Sequence, residues 1–256
     1  MIRSAGANAA ASHDRVTGIM DGPDCEPGMV AVSSLMPVPR YKMVILDFDG
    51  TLADSGDWFL SISDQLADRF HFRRVRPEEV EMLRGQSSRE VIRYLRVPRW
   101  RLPAIGRYVH ALLATQIDRI SLFDGVAAMI ETLAASGVRL ALVTSNSQAN
   151  ACAILGREIT DRIEHFECGA SLFGKARRYR RVLRRAKLPA DQVFSIGDET
   201  RDITAARKAG IGSGAVMWGY ANRVALARLS PDAMFETPGE VLDLVLGRHR
   251  NPVPTA

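Results

Sequence analysis

The chain has 256 residues, of which 46% are hydrophobic and 25% are charged, an ordinary globular composition with enough apolar side chains to bury a full core. Lysine and arginine exceed aspartate and glutamate by 34 to 29, almost entirely through arginine, and no basic tract of five or more residues occurs. We therefore expect no nucleic-acid partner, whereas an anionic small molecule suits the mild excess. No run approaches the roughly 18 apolar residues of a membrane span, so no membrane partner is expected.

The N-terminal segment, residues 1–40, is rich in Ala, Gly, Ser and Pro and has neither helical nor strand periodicity, so we predict a disordered tail there. Acidic residues interrupt this tail, which argues against a signal peptide. The three cysteines are odd in number and lack metal-ligand spacing, which favours a reducing compartment over a disulfide framework. We expect a cytoplasmic monomer or homodimer, with a second short tail at residues 248–256.

Four consecutive apolar residues at 43–46, bounded by turn formers, predict a buried β-strand. Asp47 and Asp49 follow at its C-terminal end, the edge where ligands of open α/β sheets bind. Side chains two apart on an extended backbone point the same way, so both carboxylates face one site. A divalent cation such as Mg²⁺ would relieve their repulsion. The alternative is a β-hairpin with Asp49-Gly50 as its turn.

A helical segment follows this strand. Apolar residues recur every fourth position over 58–70 and predict one amphipathic helix. A Pro-Glu-Glu start predicts a second helix over 77–84, a serine N-cap predicts a third over 88–96, and helical spacing predicts a fourth over 102–119. Residues 56–122 are therefore expected to form an all-helical insert.

The α/β pattern resumes at residue 123. Helices alternate with buried strands that are predicted at 138–143, 165–168, 193–196 and 215–218. This alternation predicts a doubly wound parallel sheet, and the fold class is therefore α/β. The predicted core consists of residues 41–55 and 123–247, which the helical insert separates.

Polar side chains follow three of the predicted strands: Asp47 and Asp49 the first, Thr144, Ser145 and Asn146 the second, and Asp198 and Asp202 the third. Parallel topology brings the carboxyl ends of strands together, so we expect these side chains to share one site. Structural roles stay open for some of them. Thr144 or Ser147 is a possible N-cap of the following helix, and Asp202 is a possible cap of its own helix.

Four motifs occur in order: DFDGT at 47–51, TSN at 144–146, Lys175, and GDETRD at 197–202. Together they resemble the motifs of the haloacid dehalogenase-like hydrolases, in particular the phosphoglycolate-phosphatase-like members, and the resemblance extends from residue 43 to about residue 245. It implies a Rossmann-like core, a bound Mg²⁺ and hydrolysis of a small phosphorylated metabolite through an aspartyl-phosphate. The insert resembles the helical C1-type cap of the family.

The motif residues then have expected roles. Asp47 is the expected nucleophile, because a carboxylate can form an acyl-phosphate, and Asp49 is the expected general acid and base. The resemblance implies a Mg²⁺ site made by Asp47, the Asp49 backbone carbonyl and Asp198, with Asp202 orienting this site from behind or capping its helix. The expected contacts of the phosphoryl oxygens are Thr144, Ser145, Asn146 and Lys175.

Other chemistries of the family are less compatible with the sequence. Asp49 argues against carbon–halogen cleavage, because the dehalogenases lack this second aspartate. No lysine lies between Lys42 and Lys175, which argues against phosphonate hydrolysis through a Schiff base on the cap. A sugar-phosphate mutase keeps both aspartates and stays the alternative, followed by a catalytically silent binding protein with the same scaffold.

Two arginines in the insert indicate which kind of substrate the protein binds. Arg84 and Arg89 flank the loop 85–88, where an arginine fork would clamp a second anionic group such as a carboxylate; a solvated face is the alternative. We predict that the substrate is a small phosphate monoester with a second acidic or polar group at its other end. Phosphoglycolate is the first candidate. Two departures from the family pattern, Asp124 in place of Pro and Glu199 in place of Ser, weaken assignment to one substrate.

Overall fold

The computed structural model describes residues 38–169 and 174–248, so the predicted tail lies outside the described residues up to residue 37, and the C-terminal tail does so from residue 249. The strands are β1 (Met43–Leu46), β2 (Ala53–Asp54), β3 (Ser121–Leu122), β4 (Arg139–Val143), β5 (Ile163–Glu167), β6 (Val193–Gly197), β7 (Gly212–Val216) and β8 (Ala233–Phe235). Six of them form one parallel sheet in the order β5-β4-β1-β6-β7-β8, while β2 and β3 form an antiparallel pair. The predicted α/β fold is confirmed.

Helices occupy both the insert and the connections of the sheet. Between β2 and β3 lie α1 (Gly56–Ser61), α2 (Ser63–Phe70), α3 (Val80–Arg84), α4 (Ser88–Tyr94) and α5 (Leu102–Ala114). The later helices are α6 (Val126–Ala135), α7 (Gln148–Thr160), α8 (Lys175–Ala186), α9 (Thr200–Ala209), α10 (Arg223–Ala227) and α11 (Pro238–Val245). No helix in the described ranges has the length and apolar content needed to cross a bilayer.

Strand β1 lies at the centre of the sheet, with parallel neighbours on both sides. Met43 pairs with Arg139 of β4 and with Val193 of β6. Gly50 does adopt a turn conformation, with φ at +75°, but the chain beyond it enters β2 and does not return along β1. The hairpin alternative is therefore excluded, and the continuous apolar run is explained by burial on both faces of the sheet.

Each face of β1 packs against a different hydrophobic layer. Val44 and Leu46 belong to the cluster that includes side chains of α6, α7 and α11, together with apolar residues of the insert. Met43 and Ile45 belong to the cluster formed with α8 and α9. Because side chains alternate along a strand, Asp47 continues the Met43 face and is directed toward α8 and α9.

Three predicted elements differ from the structure. The helix predicted over 58–70 is interrupted at Ile62, where the hydroxyls of Ser61 and Ser63 donate to carbonyls three residues earlier, a competing bond that weakens a helix. The fourth helix ends at Ala114, before a 3₁₀ turn over Ile117–Arg119. A strand is present where one was predicted at 215–218, but the predicted bounds are wrong, because β7 spans Gly212–Val216.

The glycines of β7 make this strand difficult to recognise from the sequence. A Cβ atom on Gly214 would lie 2.5 Å from the ring of Phe235 and 2.7 Å from that of Phe194, so a strand residue with a side chain does not fit there. Aromatic rings from β6 and β8 fill the space instead. The strand therefore lacks the β-branched residues by which a strand is usually recognised.

Candidate active site

Three buried aspartates form an acidic cluster at the carboxyl edge of the sheet. Asp47 follows β1, Asp198 follows β6, and Asp202 lies in the first turn of α9. Each is at most 1% exposed. One carboxylate oxygen from each lies within 4.8 Å of the others. The structure thus brings together carboxylates that are separated by 150 residues of sequence.

Lys175, the first residue of α8, lies inside this cluster. Its Nζ atom is 2.6 Å from Asp47 Oδ2 and also forms an ion pair with Asp202. Burial by itself would lower the pKa of Lys175, but Asp202 and Asp47 outweigh it and raise the pKa above its ordinary value. The lysine is therefore charged and fixes the orientation of both carboxylates.

Asp202 is oriented from two directions. Besides its ion pair with Lys175, its Oδ2 accepts a hydrogen bond of 3.0 Å from the backbone N–H of Glu199, which closes the first turn of α9. A Cβ atom on Gly197 would overlap the Asp202 side chain, so the glycine is what allows this close approach. Of the alternatives considered from the sequence, Asp202 has the contacts of a residue that supports the site from behind and also caps its helix.

Asp198 is held by hydrogen bonds to both of its oxygens. Thr51 Oγ1 donates to Oδ1 at 2.8 Å, and the backbone N–H of Tyr220 donates to Oδ2 at 2.9 Å. A Cβ atom on either Gly50 or Gly219 would collide with this carboxylate. Two glycines therefore make the space in which Asp198 lies against the Asp47 loop.

Asp49 has a different environment from the other three. Its carboxylate accepts hydrogen bonds from Ser55 Oγ at 3.0 Å and from Asn146 Nδ2 at 3.3 Å. Ser55 Oγ is in turn 2.5 Å from the hydroxyl of Tyr220. Burial, followed by the charge of Asp47, raises the pKa of Asp49 to about 6. Asp49 thus has the proton affinity of a group that can donate and accept a proton near neutral pH.

The loop after β4 brings its polar residues to the same edge. Thr144 Oγ1 accepts a 2.9 Å hydrogen bond from the backbone N–H of Asn146, whose own side chain contacts Asp49. Thr144 and Asn146 are buried and Ser145 is partly buried. The N-cap of α7 is Ser147, whose Oγ accepts from the N–H of Asn150 at 3.1 Å, so Thr144 is not needed for that role.

The two arginines predicted to clamp a substrate have different surroundings. Arg84 donates from Nε to the carbonyl of Tyr220 at 2.9 Å and from its NH2 group to that of Gly219 at 3.0 Å. It therefore joins the insert to the loop that holds Asp198. Arg89 lines a cavity of about 230 Å³ that is bordered by Lys175. Their role in substrate binding stays a prediction.

Glu199 and Arg201 also lie in the site, although the motifs by themselves predicted no role for either residue. The NH2 group of Arg201 is 2.6 Å from Glu199 Oε1 and 4.0 Å from Asp47 Oδ2, and Glu199 Oε2 accepts from Ser88 Oγ of the insert at 2.6 Å. Both residues lie inside the GDETRD motif, so their position was available from the sequence, but their partners were not. Tyr220, which contacts Ser55 and Asp198, lies outside the four motifs, so no pattern in the sequence identified it.

The charges of the site do not balance. It contains five carboxylates, from Asp47, Asp49, Asp198, Glu199 and Asp202, and two cations, from Lys175 and Arg201. Burial raises the pKa of Asp198 well above its ordinary value, and nearby carboxylates, first Glu199 and then Asp47, raise it further. Crowded, buried carboxylate oxygens fit a hard divalent cation. Both oxygens of Asp202 are engaged, one by Lys175 and the other by the backbone N–H of Glu199, whereas Lys175 contacts Asp47 through Oδ2. The carboxylates of Asp47 and Asp198 therefore suit such a cation best.

The acidic residues after the central strand, with a buried lysine beside them, mark the carboxyl edge of this parallel sheet as the candidate active site. The family model for haloacid dehalogenase-like hydrolases matches residues 44–216. The chain belongs to the haloacid dehalogenase-like hydrolase family, as the motifs predicted. Its relatives support a phosphatase-type hydrolase.

Among curated proteins, the chain is 31% identical to a phosphoglycolate phosphatase of Synechococcus elongatus, over 80% of this chain and 97% of that protein. It is also 29% identical to the tyrosine-protein kinase PtkA of Mycobacterium tuberculosis, over 72% of this chain and 65% of that protein. We do not assign the kinase activity of this second relative to the present chain.

Among solved structures, a predicted phosphatase from Clostridium acetobutylicum is similar with a TM-score of 0.69 at 19% identity, over 81% of this chain and 99% of that one. A haloacid dehalogenase-like hydrolase from Streptococcus pneumoniae is similar with a TM-score of 0.65 at 21% identity, over 79% and 97%. These similarities support the fold alone.

Proposed function

We propose that the protein is a Mg²⁺-dependent hydrolase of small phosphate monoesters that acts through an aspartyl-phosphate on Asp47. The observation that carries the proposal is the position of Asp47, which ends the central strand between Lys175 and Asp198. Mg²⁺ held by Asp47 and Asp198, and by the backbone carbonyl of Asp49, would neutralise the phosphate and polarise its oxygens.

The chain's own residues supply the remaining chemistry in two steps. In the first, an Asp47 carboxylate oxygen attacks phosphorus, the ester P–O bond breaks, and Asp49 gives its proton to the departing alkoxide. In the second, Asp49 takes a proton from water as the water oxygen attacks phosphorus. The bond from phosphorus to Asp47 breaks, which releases inorganic phosphate and restores the carboxylate.

The surroundings of Asp49 support this division of labour. A carboxyl group whose pKa is about 6 is protonated often enough to act as an acid and basic enough to accept the proton of water. Hydrogen bonds from Ser55 and Asn146 keep it in place. Lys175, held against Asp47, and the hydroxyl groups of Thr144 and Ser145 are the proposed contacts of the phosphoryl oxygens.

For the substrate we propose a small phosphate monoester that has a second acidic group. The curated relative with 31% identity is a phosphoglycolate phosphatase, and phosphoglycolate has this chemistry. We further propose that residues 56–122 act as the cap over the site and residues 41–55 and 123–247 as the core. The contact of Arg84 with the loop at Gly219 supports this arrangement.

The test is phosphate release from a panel of small monoesters, with Mg²⁺ and with a chelator. Asp47→Asn should abolish release, because an amide does not form the acyl-phosphate. Asp54→Asn is the matched control, since Asp54 is an exposed aspartate seven residues away. Mg²⁺-independent release, or equal loss in both variants, would contradict the proposal, and phosphate transfer to a second sugar phosphate instead of to water would indicate a mutase.

A further inference from the structure

A cationic cavity adjoins the catalytic cluster. It has a volume of about 230 Å³ and lies between residues 87–89 of the insert, the first turn of α8, and α9 from Thr200 to Lys208. Its lining includes four basic side chains, of Arg89, Lys175, Arg201 and Lys208, and the hydroxyl groups of four serines and threonines, but no acidic residue. Such a lining suits a small anionic group, and Lys175 is the residue that the cavity shares with the aspartate cluster.

Arg201 connects this cavity to the nucleophile. Its NH2 group is only 4.0 Å from Asp47 Oδ2, so an acidic group bound to this guanidinium would be next to a phosphoryl group on Asp47. The Nε atom of Arg201 is buried and has no hydrogen-bond partner among the described residues. A buried donor without a partner is costly, so a small shift of the guanidinium toward an acceptor in the cavity would lower that cost.

Lys208 lies two turns further along α9, on the same wall of the cavity. Its ammonium group forms no ion pair within residues 38–169 and 174–248. Side chains on a helix lean toward its N-terminus, which directs Lys208 toward the level of Thr204 and Arg201. The cavity wall therefore offers positive charge that the protein itself does not neutralise at this position.

Glu199 supplies the carboxylate that Arg201 binds in this structure. One of its oxygens contacts Arg201 at 2.6 Å, and the other accepts from Ser88 of the insert at 2.6 Å. An arginine that already binds one carboxylate has the geometry to bind another. An acidic ligand in the cavity would compete with Glu199 for the same guanidinium.

We propose that Arg201 and Lys208 form the subsite for the second acidic group of the substrate, and that Glu199 is the carboxylate with which this group competes. The inference rests on the proposed phosphatase function and adds the residues that select the substrate. Arg84 donates to carbonyl groups of Gly219 and Tyr220, so it is less suited to this role than Arg201. The substrate class is a phosphate monoester with a carboxylate one or two carbons from the ester oxygen.

The experiment is calorimetric binding, in Mg²⁺, of two phosphonates that cannot be hydrolysed. 3-Phosphonopropionate has a carboxylate, and propylphosphonate, of similar length, does not. Lys208→Met should raise the Kd of 3-phosphonopropionate about fivefold to tenfold relative to propylphosphonate, because a charged contact is lost. Glu199→Gln should act in the opposite direction and lower the Kd of 3-phosphonopropionate about threefold, because the competing charge is removed. Arg184→Gln, which removes an exposed positive charge from α8, is the control.

Each outcome has a clear consequence. Opposite shifts in Lys208→Met and Glu199→Gln, limited to 3-phosphonopropionate, support the subsite. Equal affinity of the native protein for both phosphonates, or equal changes for both in either variant, overturns the subsite while the phosphatase function stands. If the native protein binds neither phosphonate and releases no phosphate from any monoester, the proposed function fails and the subsite falls with it.

Discussion

Replacing Lys175 with methionine tests whether the ion pairs of the candidate site stabilise the folded protein. Lys175 is 6% exposed, and it contacts Asp47 and Asp202, which are at most 2% exposed. Removing one partner of a buried ion pair leaves uncompensated charge and costs about 3–5 kcal/mol. Methionine fills most of the space of the lysine, so a cavity contributes little to the expected loss.

The stability lost in Lys175→Met should depend on pH. The direction of this dependence follows from the pKa of Asp202. Burial raises the pKa of Asp202, while Lys175 opposes the rise. A carboxyl group with a raised pKa stabilises the folded state below its unfolded pKa, and it loses this contribution as the pH rises through the folded pKa. Without Lys175 that pKa is higher still, so the cost should be largest at pH 8 and smaller by roughly 1–2 kcal/mol at pH 5.

The measurement is urea unfolding at pH 8 and pH 5 in the presence of a chelator, so that no divalent cation replaces the lost charge. Lys187→Met, at an exposed lysine after the end of α8, should change the free energy of unfolding by less than about 0.5 kcal/mol. Adding Asp202→Asn to Lys175→Met should recover part of the loss, because it removes one of the two unpaired carboxylates. A Lys175→Met protein that is within about 1 kcal/mol of the native protein at pH 8, or one that loses more stability at pH 5, would refute the reasoning.

Three further predictions concern other parts of the structure. Gly219→Ala should reduce phosphate release at least tenfold with the fold retained by circular dichroism, because the new methyl group collides with Asp198; normal activity would contradict this packing. Glu167 is 2% exposed and contacts three arginines of α8, so Glu167→Gln should cost about 2–3 kcal/mol in urea unfolding, whereas Arg184→Gln should cost almost nothing. The pKa of Asp49 is about 6, so its proton is lost above that pH. Phosphate release should then slow for esters with poor leaving groups, which need the proton, but not for aryl phosphates, which do not. Identical pH profiles for the two kinds of ester would count against Asp49 as the acid.

Much of the fold was predictable from the sequence because its strongest signals are local. The apolar run at 43–46 and the alternation of strands and helices predicted a parallel sheet, and both are confirmed. The first part of β7, from Gly212, was missed because its glycines are required by aromatic rings from other strands. No reading of local residues contains that information, since the rings lie about 20 residues away on either side.

The candidate site, like the fold, has some features that the sequence predicts and others that depend on tertiary packing. Motifs and topology predicted that Asp47, Asp198 and Lys175 meet, and they do. The contacts of Glu199 with Arg201 and of Glu199 with Ser88 depend on how the insert lies against the core. That placement comes from tertiary packing, so a sequence pattern could identify Glu199 as unusual but could not give it a partner.

The central position of β1 has a consequence for biosynthesis. Met43 pairs with Arg139 and Val193, both in the second half of the chain. Ribosomes add about 5–20 residues per second, so on the order of ten seconds pass between the synthesis of β1 and that of its second neighbour, β6. During this interval the sheet around its four apolar residues stays incomplete, first on both sides and then, once β4 has been made, on the β6 side. Newly made chains should therefore depend on chaperones most strongly before residue 193 has emerged.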